Sequence, residues 1–89
     1  MATIRIPTPL RPYTGGSEHV TVAGQTVAEA LDDLVRQHPD LATHLFNEGQ
    51  LRSFVNIFVG EEDVRHLDGM KTVLGPDARL LIIPSIAGG

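Results

Sequence analysis

The chain has 89 residues, 42% of them hydrophobic and 20% charged, the balance of one ordinary globular domain rather than a disordered segment. Its net charge of -4 comes with no cluster of Lys and Arg, which argues against nucleic acid and anionic membrane as partners. There is no cysteine, so disulfides, thiol nucleophiles and thiolate metal sites are excluded, and any sulfur chemistry must use atoms outside the side chains.

The opening "TIRIP" alternates, with Ile4 and Ile6 on one face and Thr3 and Arg5 on the other, which predicts a half-buried strand. Pro7, Pro9 and Pro12 break it, and Gly15-Gly16 supplies turn chemistry. "EHVTVAG" alternates again through Val20 and Val22, so the two segments read as a hairpin with a long loop. The start lacks the basic residues and apolar stretch of a secretory leader, and no apolar run reaches membrane-spanning length. The expected compartment is the cytoplasm.

Thr26 precedes Glu29 by three residues, the spacing of a reciprocal capping box. Val27, Ala30, Leu31, Leu34 and Val35 then form a single apolar stripe at helical spacing. Pro39 disfavours helical geometry at His38, so one amphipathic helix is expected over about residues 27–38. "DLATHLFNEGQ" reads as a short helical turn ended by Gly49. "SFVNIFVG" predicts a strand with Val55, Ile57 and Val59 on one face and Phe54, Asn56 and Phe58 on the other. A short edge strand is expected around Val64, then an irregular connection through the turn Gly75-Pro76-Asp77. The unbroken apolar run "RLLII" predicts a central last strand with neighbours on both sides.

One helix with one apolar stripe can be buried by one sheet face. The expectation is an α+β domain over residues 1–84: a mixed sheet of four to five strands with the helix packed on one face. If the first and last strands pair in parallel, the arrangement is the β-grasp, or ubiquitin-like, fold. Beyond Pro84, which can no longer donate to a ladder, residues 85–89 read as a slender, flexible tail ending in Gly88-Gly89. Without Cβ atoms, two glycines can pass through a channel too narrow for other residues. From this geometry alone, a threaded tail and a frayed terminus are equal readings.

The remaining polar residues carry weaker signals. His19, His38, His44 and His66 lack metal-site spacing, so no metal is expected. Glu61-Glu62-Asp63 reads as a solvated turn, and Ser17, Ser53 and Ser85 have no nucleophile-elbow context. If Val55, Ile57 and Val59 face the helix, Phe54 and Phe58 lie on the open sheet face, joined by Leu81 and Ile83. An apolar patch of that kind reads as a partner surface.

The terminus "IIPSIAGG" resembles the closing segment of the ThiS/MoaD family of β-grasp sulfur carriers. "RSFVNIFVGEEDVRHLDGMKT" and "IRIPTPLRPYTGG" resemble its CysO-type branch, so the resemblance covers essentially the whole chain. Two positions depart from the family pattern: Gly75-Pro76-Asp77 stands where Asp-Gly-Asp is usual, and Ser85 where Pro or Ala is common. The resemblance implies a protein that is a substrate and not an enzyme. The Gly89 carboxylate would be adenylylated and then converted to a thiocarboxylate, with Ile86, Ala87 and Gly88 as the stretch held by the activating enzyme. No cofactor would be bound, and ATP would be used by that enzyme, a ubiquitin-activating-like adenylyltransferase and sulfurtransferase. Further implied partners are a PLP-dependent cysteine synthase and a metalloprotease that releases cysteine. Three rival readings share the sequence: a protein modifier joined to lysines through Gly89, the small subunit of molybdopterin synthase, and a plain interaction domain. The single lysine, Lys71, weighs against a modifier that forms chains.

Overall fold

The structure is a computed structural model that describes residues 1–84. Strands β1 (Ala2–Arg5) and β2 (His19–Val22) form the expected antiparallel hairpin, with Ile4 opposite Val20 and Ala2 opposite Val22. The loop between them is more ordered than its prolines suggested. Residues Thr8–Thr14 wind into a 3-10 helix with Pro9 and Pro12 in it. Leu10 is buried within the core, and the Tyr13 ring lies 4.1 Å, centroid to centroid, from that of His44. Two contacts therefore fasten the loop over the helix layer.

Helix α1 (Val27–Gln37) begins at Thr26, whose Oγ1 accepts from the Glu29 N–H. The box is not closed reciprocally as expected. The Glu29 carboxylate accepts instead from the N–H of Gln25, one residue before the cap, at 2.8 Å. Either way an orphan donor at the helix entry is satisfied. The helix stops at Gln37 rather than residue 38, since His38 leaves helical geometry ahead of Pro39. Val27, Ala30, Leu31 and Leu34 are buried, and Val35 packs partly against them.

The next segment departs from the sequence reading. A 3-10 turn (Pro39–Leu41) runs into one helical turn, α2 (Ala42–Leu45). Gly49 does not end it. A two-residue hairpin follows, β3 (Phe46–Asn47) against β4 (Gln50–Leu51), with Glu48 at φ 54° and Gly49 at φ 80°. Two positive φ angles at the centre are those of a type I′ turn, which suits the twist of a tight hairpin.

Strand β5 (Val55–Val59) pairs antiparallel with the last strand, β7 (Arg79–Pro84). The short edge strand β6 is Glu62–Asp63, earlier than expected. Val64 instead opens a 3-10 turn, because Asp63 caps it by accepting from the Arg65 N–H, and Val64 itself turns into the core. The following connection holds a further 3-10 turn (Gly69–Lys71) and is tied to the start of α1 by Val27 N–H to Thr72 O and Leu74 N–H to Gln25 O.

The sheet order is β2-β1-β7-β5-β6. β7 is central as expected, parallel to β1 with Ile4 beside Leu80, and antiparallel to β5 with Ile57 beside Ile82. This is the β-grasp arrangement. Ile4, Ile6, Val20, Val22, Val55, Ile57, Leu80 and Ile82 face α1 and are buried, with Leu41 and Leu45 closing one end. Val59 is only partly buried. Among the described residues, every buried side-chain polar atom has a hydrogen-bond partner.

Candidate interaction face and tail exit

The face of the sheet turned away from α1 is open. Side chains alternate along a strand, so burial of Leu80 and Ile82 puts Leu81 and Ile83 on this open side. The antiparallel register sets Phe58 opposite Leu81 and Asn56 opposite Ile83. Phe58 and Leu81 keep part of their surface in solvent, and Ile83 is 39% exposed. Phe54 lies just before β5 and is 37% exposed. Phe58, Leu81 and Ile83 thus lie on one side of the sheet, whereas Phe54 sits in the turn before β5, lining a cavity with Asn47, Gln50 and Leu51 of the small hairpin.

The described part of β7 finishes just past Ile83, at Pro84. Pro84 pairs with Val55, the first residue of β5. Two arginines hold the strand opposite. Arg65 donates through Nη2 to the Ser53 carbonyl at 3.0 Å. Arg52 donates through Nε to the Thr43 carbonyl at 3.0 Å, with its guanidinium carbon 5.9 Å from the centre of the Phe54 ring. A cation over an aromatic face is a mild attraction that also orients the ring. Ile86, Ala87, Gly88 and Gly89, the expected reacting tail, lie outside the described residues.

Beside the apolar patch the face becomes basic. An open cavity of about 480 Å³ is lined by Thr3, Arg5, His19, Gly60, Arg79 and Leu81. Sequence reasoning placed Arg5 on the outward side of its strand but did not connect it with Arg79 or His19. The connection depends on the register of β1 against β2 and β7, which sets Arg5 beside both His19 and Leu81, and Thr3 beside Arg79.

Among the described residues no group of three or more His, Asp or Glu side chains is placed to hold a metal ion, and no helix is long and apolar enough to cross a membrane. The four histidines lie apart along the chain, and His44 is stacked on Tyr13. Glu61, in the β5–β6 turn, and Glu62, the first residue of β6, are both exposed. Asp33 on α1 has its carboxyl group held below the ordinary range, chiefly because it accepts from the Ala23 N–H at 2.9 Å, and then from the Gln37 side chain at 3.0 Å.

A β-grasp with one main helix packed on one face of a mixed five-stranded sheet is a ubiquitin-like domain. Residues 4–89 match the ThiS family, and the chain belongs to it. The chain is 38% identical over 90 residues to the sulfur carrier protein CysO of Mycobacterium tuberculosis (strain ATCC 25618 / H37Rv), covering 98% of this chain and 97% of that one. A chain of the crystal structure of the Amycolatopsis orientalis BexX/CysO complex superposes with a TM-score of 0.91 at 38% identity, covering all of both chains. The solution structure of small archaeal modifier protein 1 from Methanosarcina acetivorans superposes with a TM-score of 0.89 at 25% identity, covering 99% of this chain and 95% of that one.

Proposed function

We propose that this chain is a sulfur carrier of the CysO type, which receives sulfur on its terminal carboxylate and passes it on for cysteine synthesis. The observation that carries the reading is the family match through residue 89, which takes in Gly88-Gly89. Near full-length identity to a sulfur carrier supports it. An ATP-dependent enzyme joins a Gly89 carboxylate oxygen to the α-phosphorus of ATP and releases pyrophosphate. Sulfide then attacks the acyl carbon; the C–S bond forms and the C–O bond to AMP breaks. The product is a thiocarboxylate, anionic at neutral pH and nucleophilic at sulfur. A PLP-dependent cysteine synthase supplies the activated acceptor, and a metalloprotease frees the added cysteine. This chain is the carried substrate throughout, and ATP is consumed by its partner.

The test is the intact mass of the protein purified from its host under conditions that preserve thioacids. A population heavier by one oxygen-to-sulfur exchange, mapped to Gly89 by fragmentation, is expected, with a further cysteine-sized addition at the same end. Only free carboxylate, both in the host and after incubation with ATP, sulfide and its activating enzyme, would refute the reading. The likeness to an archaeal modifier protein gives a second reading, conjugation of Gly89 to lysines of other proteins. Conjugates linked through Gly89, with no thiocarboxylate, would establish it instead.

A further inference from the structure

β2 is one edge of the five-stranded sheet and β6 the other. An open edge invites a further strand, and proteins blunt it with short strands, charges, proline or a cover. β6 is guarded by its size and charge, being two acidic residues, Glu62 and Asp63. β2 has four residues with no lysine or proline, and Val20, Thr21 and Val22 are β-branched. Its main-chain groups alternate in direction. Val20 and Val22 stand opposite Ile4 and Ala2, and the Ile6 N–H donates to the Glu18 carbonyl at 2.7 Å. Glu18, Val20 and Val22 therefore turn their main-chain groups to β1, and His19, Thr21 and Ala23 turn theirs outward.

Two of the outward groups are held by side chains of α1. The Ala23 N–H donates to Asp33 Oδ2 at 2.9 Å, and Gln37 Nε2 donates to the Thr21 carbonyl at 3.0 Å. Gln37 also donates to the same Asp33 oxygen at 3.0 Å. Asp33 and Gln37 are one helical turn apart, so the three bonds form a clip across the edge. We infer that this clip keeps the β2 edge closed to a second copy of this chain, which otherwise pairs with it antiparallel, β2 against β2. The strand suits its own copy. A two-fold axis at Thr21 sets Thr21 against Thr21, His19 against Ala23, Val20 against Val22 and Glu18 against Gly24. No like charges meet in that register, and paired threonines are favourable cross-strand neighbours. The register needs the Thr21 carbonyl and the Ala23 N–H, the two groups the clip occupies. Such a contact is self-complementary and closes at two copies. Two chains of net charge -4 repel, so the pairing is weak even with the clip open.

The experiment is sedimentation equilibrium of the whole chain over about 0.01–1 mM. The wild type is expected to be a monomer throughout. Asp33→Ala/Gln37→Ala is expected to rise about two-fold in apparent mass toward the top of that range. Hydrogen exchange of the Thr21 amide is expected to slow in step with the dimer fraction. Circular dichroism verifies folding; should the double variant unfold, Gln37→Ala, which frees only the Thr21 carbonyl, is read in the same way for a smaller rise. A folded variant that stays monomeric at the highest concentration would overturn the inference. So would association that leaves the Thr21 exchange unchanged, since it would then run through another surface, and so would a wild type that associates as strongly as the variant. The carrier reading is tested separately at Gly89 and stands or falls apart from these outcomes.

Discussion

Ile82 and Ile83 are neighbours on one strand and differ only in the face they serve. Ile82 is 1% exposed and Ile83 is 39% exposed. Ile→Ala removes three carbons in each case, worth about 2.4 kcal/mol if fully buried. At Ile82 the cavity left between the sheet and α1 adds to that transfer loss and brings the cost to about 3–5 kcal/mol. At Ile83 roughly three-fifths of the smaller term is at stake, about 1.5 kcal/mol, and the open face leaves no enclosed void. Strand propensity changes equally at both sites, so the difference of about 1.5–3.5 kcal/mol reports the face alone. In a domain of this length that separates the melting temperatures by about 10–20 °C. The assay is thermal and urea unfolding of both variants beside the wild type. If the two fall equally, the open-face assignment is wrong, and with it the docking surface built on Leu81 and Ile83. If Ile83→Ala loses only that smaller amount of stability yet loses affinity for the activating enzyme, the face serves a partner.

Gly24 sits at φ 149°, where a Cβ would come within 2.8 Å of the Ala30 nitrogen and 2.9 Å of two Glu29 atoms. Gly24→Ala is therefore expected to cost about 1–3 kcal/mol, and an unchanged melting temperature would contradict the close packing of β2 against α1. Thr26→Ala removes the acceptor for the Glu29 N–H and is expected to cost about 1 kcal/mol in urea unfolding; a loss below a few tenths would mean that Glu29 alone secures the helix start. Asp33 is held below its ordinary value of 3.8 by donors that favour the charged form, so its contribution is present above the unfolded-state pKa and is lost as pH falls through the lower native one. Asp33→Asn should accordingly be the less stable protein at pH 7, with the gap closing under acid, and a gap that persists at the lowest pH would refute the linkage.

The elements legible in the sequence are those with a local period. Ile4 and Ile6 alternate, Val27 through Val35 repeat at helical spacing, and Val55 and Ile57 alternate again, so the first hairpin, α1 and β5 could be placed without a structure. The small hairpin at Phe46–Leu51 was missed for a physical reason. Its strands are two residues each, too short for a period, and its turn uses Glu48-Gly49 where Asn-Gly or Asp-Gly is the recognisable pair. A glycine just after a helical turn is equally the mark of a helix end. The short β6 was displaced toward Val64 because Val64 is the apolar residue there, yet it faces the core from a 3-10 turn. The apolar half of the open face followed from alternation once the core side was chosen. The basic half did not, because Arg5 and Leu81 are distant in sequence and only the parallel ladder brings them together.

That ladder also makes the end of β7 lopsided. The parallel register with β1 ends at Arg5 beside Leu81, whereas pairing with β5 continues to Val55 beside Pro84. One flank of the last residues of β7 is therefore paired and braced, with Arg65 holding Ser53 and Arg52 lying over Phe54. On the other flank β1 has already turned away into the 3-10 loop at Thr8. The ladder that holds β7 in the centre of the sheet thus sets Arg5 beside Leu81 and leaves Ile83 and Pro84 with partners on the β5 side.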